Sequence, residues 1–205
     1  MIRSYNPNMR IGLENLNEIF HALDRQIEVH GGVPISLVVC GGTALAALGL
    51  VSRTTKDVDV LAQAEEAEEG IKVLKINEFP QWLKEAAKTV GRDFGLPEGW
   101  LNLGPASQLE SGLPDGFEKR LVKRRYGKFL TVYFIGRTDQ IFFKLYAAVD
   151  RNDYHVQDLF ALKPTEKEME EATKWVLTQD VSEGFRLIVK DFLIKYGYAD
   201  IAKRI

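Results

Sequence analysis

Cysteine, histidine and long apolar runs are what this chain has least of. Cys40 is the only cysteine, so no disulfide can form within the chain, and a reducing cytoplasm is the expected compartment. The three histidines, His21, His30 and His155, are scattered and offer no zinc-site spacing. No apolar run approaches the roughly 20 residues that span a bilayer, and the opening MIRSYNPNMR lacks the apolar core of a secretory signal. A membrane role therefore has little support. An excess of one charge is missing too: 27 basic against 29 acidic residues leave a net charge of -2, so only a local basic patch could hold nucleic acid. What remains is 205 residues with 45% hydrophobic content, enough to bury the core of one domain with at most a small appendage.

The chemistry concentrates between Ser36 and Leu61. The apolar run Leu37, Val38, Val39, Cys40 reads as a strand, Gly41 and Gly42 as a tight turn, and the alanine- and leucine-rich stretch after them as a short helix. In Asp57-Val58-Asp59-Val60-Leu61 acid and apolar residues alternate at the period of a strand, which puts both carboxylates on one face. Neighbouring carboxylates repel unless a cation lies between them, and oxygen donors favour Mg²⁺ or Mn²⁺. Glycines that let the backbone approach a ligand, with free N–H groups at the helix start, suit a phosphate. Together they suggest metal-assisted phosphoryl or nucleotidyl transfer. The competing reading is a solvated or salt-bridged strand with Arg53 and Lys56 as partners.

Around this unit the pattern predicts alternating helices and strands. Leu13, Leu16, Ile19, Phe20, Leu23 and Ile27 mark an amphipathic helix within Ile11 to Val29. AEEAEEGIK reads as the start of a solvated helix, its glutamates Glu65, Glu66, Glu68 and Glu69 facing water. Phe79 to Phe94 predicts another helix. The glycine- and proline-rich stretch Leu96 to Gly116 predicts loops with one short helix, long enough to overhang a site. Trp82 and Trp100 are either core or stacking platforms. Glu118 to Tyr126 and Phe129 to Ile135, joined by Gly127-Lys128, read as a hairpin. Its Lys119, Arg120, Lys123, Arg124, Arg125 and Lys128 either guard an edge strand or contact an acidic polymer such as RNA.

From Arg137 to Thr165 a second informative stretch follows. Thr138 and Asp139 can cap a helix whose Ile141, Phe142, Leu145 and Val149 face the core. Lys144 on that helix either snorkels outward or enters a polar cleft. Asp158, among Val156, Leu159, Phe160 and Leu162 of a further helix, is expensive to bury alone, so a Lys144–Asp158 pair would satisfy both. Thr165 to Glu168 resembles a capped helix start, and residues 166–205 read as two closing helices.

Gly41-Gly42, a gap of 14 residues from Thr43 to Lys56, then Asp57 and Asp59 resemble the signature of the DNA polymerase beta-like nucleotidyltransferase superfamily. Asp139, Lys144-Leu145, the Arg151-x-Asp153 element and Asp158-Leu159 are similar to later motifs of its AbiEii/MenT-type toxin branch. The resemblance covers about residues 35 to 165. It implies an α+β fold, a mixed sheet flanked by helices, with a nucleotidyltransferase core over 1–136 and a C-terminal helical region over 137–205 packed on it. It implies that Asp57 and Asp59 bind Mg²⁺ (or Mn²⁺), that Lys144 and Asp158 join them in catalysis, and that Gly41, Gly42, Thr43 and Arg53 bind a nucleoside triphosphate. The acceptor is then tRNA or other RNA, with an antitoxin as partner, or a small molecule or protein; a nucleotide-binding module without turnover stays open. The superfamily's third acid has no counterpart in FLTVYFI, so either two acids suffice or turnover is impaired.

Overall fold

The computed structural model describes residues 9–151 and 154–205, so Asp153 of the Arg151-x-Asp153 element lies outside the described residues. The chain divides into two compact units: one runs through Glu110 and resumes over Gly116–Gly136, the other comprises Ser111–Asp115 and Arg137–Ile205. Helices and one mixed sheet make it an α+β protein.

The first unit is built on the sheet. Its strands are β1 (Ile35–Cys40), β2 (Val58–Ala67), β3 (Gly70–Leu74), β4 (Leu101–Asn102), β5 (Val122–Arg125) and β6 (Leu130–Phe134). They lie in the order β3-β2-β1-β6-β5, with β4 against β2. β1 runs parallel to β6 and antiparallel to β2, with a register shift between Val38 and Val39. Leu37, Val38 and Val39 are fully buried, as a central strand covered on both faces requires.

Three α-helices lie among the described residues of this unit: α1 (Leu16–Val29), α2 (Gly41–Ala47) and α3 (Gln81–Phe94). α1 buries Leu16, Ile19, Phe20, Leu23 and Ile27 as its spacing predicts. Ile11 stays outside the helix and bridges Thr55, while Leu13 is exposed. Trp100 is core, with its Nε1 donating to the Ala87 carbonyl at 2.8 Å, and Trp82 is half-buried. Trp100 is thus core rather than a stacking platform.

The glutamate run departs from its expected form. Instead of starting a helix, it extends β2 and turns into β3, pairing Ala64 with Val73, Glu65 with Lys72 and Glu66 with Ile71. Helix propensity differs by only tenths of a kcal/mol per residue among these types, less than the ladder, the buried Ala62 and Ala64 and the opposite-charge pair contribute together. The four glutamates do face water. The hairpin strand also starts later than predicted. Phe117–Arg120 forms a 3-10 turn anchored by the buried Phe117, which leaves Lys119 and Arg120 off the strand.

Gly127 marks the hairpin turn, for a reason the pattern does not give. Its φ lies outside the left-handed region, yet a Cβ there would overlap both carboxylate oxygens of Asp24. Asp24 Oδ1 accepts from Phe129 N at 2.8 Å and Leu130 N at 2.7 Å. A buried carboxylate thus ties α1 to the hairpin. Asp24→Ala orphans two amide donors and is expected to lose about 2–4 kcal/mol of stability in urea titration, whereas Asp24→Asn, which keeps an acceptor, loses about half as much.

The second unit is helical: α4 (Arg137–Arg151), α5 (Tyr154–Ala161), α6 (Glu166–Gln179), α7 (Glu183–Lys195) and a short α8 (Ala199–Ala202). Residues 166–205 therefore form three helices rather than two. Thr138 and Asp139 lie inside the first turn of α4, not ahead of it, and Asp139 is fully buried there, at the end of the helix where its dipole favours a carboxylate. Phe142, Phe143 and Tyr146 gather around Trp175, with ring centroids 5.9, 5.4 and 6.3 Å away.

The α6 start has the expected capping box of Thr165 and Glu168. Glu168 also ion-pairs with Arg137. The Arg137 guanidinium first, then the Thr165 bonds, hold its carboxyl down at about 2 against the opposing effect of burial. Because this pKa is depressed on folding, the stability it confers is fully present above about pH 4.5 and is lost as pH falls through about 2. Glu168→Gln should lower Tm at pH 7, and the gap to the parent should close in thermal melts taken at successively lower pH down to about 2.

Candidate active site

β1 and β2 converge where Cys40 pairs with Asp59, and the glycine turn begins one residue later. Gly41 has φ +66°, a left-handed conformation costly for other residues. A Cβ on Gly41 would overlap Asp59 Oδ2. The glycine therefore serves two ends: it turns the chain from strand to helix, and its lack of a Cβ lets the Asp59 carboxylate pack directly against the bend. Gly42 has a different neighbour. A Cβ there would lie 3.0 Å from Thr55 Cβ and 3.4 Å from an Arg53 guanidinium nitrogen, so the second glycine admits the segment that leads into the acids.

That segment is pinned at several points. Thr55 exchanges two backbone hydrogen bonds of 2.8 Å with Ile11, and its Oγ1 donates to Asp57 Oδ1 at 2.8 Å. Thr43 is fully buried and its hydroxyl donates to the Asp57 carbonyl at 2.6 Å. The Thr43 hydroxyl thus holds the acid strand. Val58 N donates to the Trp100 carbonyl at 2.5 Å, and β4 sets Asn102 opposite Asp59.

Val58 and Val60 are buried while Asp57 and Asp59 are half-buried, the alternation the sequence predicts. Gly41, Gly42, Thr43, Arg53, Asp57 and Asp59 are thus brought together within the first unit. Thr55 is the residue that pattern reading missed. Its signal was a threonine two positions ahead of an aspartate, a spacing at which side chains bond locally.

Among the described residues no group of three or more His, Cys, Asp or Glu side chains could hold a metal. β6, the strand parallel to β1, carries no acid. Two half-buried carboxylates, one of them packed against the glycine bend, still suit Mg²⁺ or Mn²⁺. Such cations use one or two protein carboxylates and complete their shell with water and substrate phosphate.

Lys144 and Asp158 form a second cluster, within the helical unit. Lys144 Nζ lies 2.8 Å from Asp158 Oδ2, with 5% and 2% of the two side chains exposed. It is also 3.5 Å from His155 Nδ1 and 5.7 Å from the centre of the Tyr154 ring. Lys144 is therefore buried and paired, not snorkelling, and His155 is drawn into the pair rather than left on the helix surface. Of the other histidines, His21 Nδ1 contacts the Tyr126 carbonyl at 2.5 Å and His30 Nε2 contacts Thr89 Oγ1 at 3.3 Å.

No helix among the described residues is long and apolar enough to cross a membrane. No curated protein and no solved structure matches the chain. One family model does, over residues 14–163, and it spans the glycine turn, the acid pair and the Lys144–Asp158 pair. The chain accordingly belongs to the family described as nucleotidyltransferases of unknown function (DUF6036).

Proposed function

We propose that this protein moves a nucleoside monophosphate from a nucleoside triphosphate to an acceptor hydroxyl at the site formed by Gly41, Gly42, Asp57 and Asp59. The observation that carries the proposal is the packing of Cβ-free Gly41 against the Asp59 carboxylate. A phosphate-accepting bend and an acid pair are useful for this chemistry only when they adjoin.

In this reading Asp57 and Asp59 hold Mg²⁺ or Mn²⁺, which when bound stabilises charge on the α-phosphate and lowers the pKa of the acceptor hydroxyl. Gly41 and Gly42 let the backbone approach the outer phosphates, and Arg53 beside Gly42 supplies a cation for them. Thr55 and Thr43 orient Asp57, one through its carboxylate and one through its carbonyl, so that the acid is already in position when substrate arrives. The acceptor hydroxyl gives up its proton to solvent, its oxygen forms its bond to the α-phosphorus as the α–β bridge breaks, and pyrophosphate leaves.

Lys144 has two proposed roles, neutralising substrate charge or holding α4 to α5, which a paired substitution with Asp158 tells apart. The absence of an acid on β6 favours a second reading, nucleotide binding without turnover. Incubation with each of the four labelled triphosphates, Mg²⁺ and either total RNA or small hydroxyl acceptors decides between transfer and binding alone. Label in tRNA supports the toxin form of the activity, with an antitoxin as partner. Label in a small molecule supports a metabolic form, and retention of triphosphate without transfer selects the second reading.

A further inference from the structure

The basic hairpin does more than guard an edge. An open groove of about 290 Å³ in the first unit is lined by Ser36, Glu66, Lys123, Arg125, Lys128 and Thr131, with the Phe129 side chain at one wall. Partners across a sheet share a face. Ser36, Thr131 and Arg125 form one row and Val38, Tyr133 and Lys123 the next, while Cys40 and Asp59 close that same face at the far end of β1. The groove and Asp59 are thus on one side of the sheet, about four residues or about 13 Å apart along the strand.

Its charge is not cancelled. Lys123 is bonded to Glu66, which also accepts from Tyr133 Oη at 2.7 Å. Arg125 Nε donates to the Gly127 carbonyl at 2.8 Å, and Lys128 Nζ lies 5.3 Å from the Phe129 ring centre. Neither of these two cations has a carboxylate ion-pair partner among the described residues. Edge protection accounts for cations on β5. It does not account for Lys128 in the turn, or for two hydroxyls on the inner strands β1 and β6 opening into the same groove.

We propose that this groove binds the phosphodiester backbone of a single-stranded nucleic acid, the strand that serves as acceptor for the site at Asp57 and Asp59. Arg125 and Lys128 contact phosphates, Ser36 and Thr131 donate to phosphate oxygens, and Glu66 limits affinity by occupying Lys123. The inference rests on the transferase reading for the word acceptor, but binding itself does not.

The test is fluorescence anisotropy with labelled 20-mer RNA and DNA of one sequence, using full-length Asp57→Asn/Asp59→Asn protein so that turnover does not intervene. Two phosphate contacts give a slope of log K against log salt near about −1.4. Arg125→Ala/Lys128→Ala should weaken binding at least tenfold and bring the slope close to zero. Glu66→Gln keeps the Tyr133 bond but frees Lys123, so it should tighten binding several-fold and steepen the slope to about −2.

Preference for RNA over DNA assigns a 2′-hydroxyl contact, and equal binding assigns the backbone alone; both support the groove. Unchanged affinity in the Arg125→Ala/Lys128→Ala protein overturns the proposal, as does polyglutamate binding as tightly as RNA. Failure of the transferase reading looks different. The oligonucleotide then binds as described, while the parent protein transfers no label to any acceptor.

Discussion

On the proposed mechanism, nucleotidyl transfer is expected to fall at least about 1,000-fold when Asp57 and Asp59 are both replaced by asparagine, with the thermal unfolding temperature staying near that of the parent. The size of the loss follows from removing two charges on which a cation and the developing negative charge depend. Folding survives because the substitution is isosteric. An asparagine oxygen still accepts from Thr55 Oγ1, and the Thr43 bond goes to the Asp57 backbone, which is unchanged.

A second measurement makes the result specific. In EDTA the triphosphate binds the double variant at least as well as the parent, because carboxylate–phosphate repulsion is gone. Gly41→Ala arrives at the same loss by another route: a strained left-handed alanine and a methyl group against Asp59 Oδ2. Transfer that persists in the Asp57→Asn/Asp59→Asn protein removes the proposed mechanism.

Lys144→Met is expected to destabilise the protein by about 3–5 kcal/mol, because it leaves the Asp158 carboxylate, 2% exposed, without the lysine cation. The double variant Lys144→Met/Asp158→Leu recovers most of that loss, since apolar side chains of similar volume replace a buried ion pair at little net cost. Urea titration of the two proteins and the parent measures both effects. The double variant then separates the two roles of the lysine. If it is stable and transfers nucleotide at the parental rate, the pair is a structural tie between α4 and α5. A stable variant with a collapsed rate assigns Lys144 to substrate charge. A double variant no more stable than Lys144→Met alone contradicts the ion-pair account itself.

Local patterning placed much of this in advance. The apolar run before Gly41, the acid alternation at Asp57 and Asp59 and the capping box at Thr165 are encoded by residues within a few positions of one another, where periodicity and backbone preference act directly. The Lys144–Asp158 pair was legible for a related reason: each residue breaks an apolar face, and isolated burial is too costly to leave either unpaired. The glutamate run shows where such reading stops. Its composition favours helix, but the partner that makes it a strand, β3, becomes visible only when Lys72 comes to lie across from Glu65. Thr43 escapes local reading in the same way, because its hydroxyl is claimed by a carbonyl 14 residues away.

The sequence by itself determined the elements flanking the site and the identity of its two acids, because strand period, glycine bends and carboxylate cost are properties of short segments. Only the tertiary structure decided that the Asp59 carboxylate packs against Cβ-free Gly41, that the Thr55 hydroxyl holds Asp57, and that Asp24 closes the hairpin. Each of these depends on atoms of separate segments meeting at a few ångströms. Contact at that range is set by strand register and side-chain packing, and no local pattern encodes it.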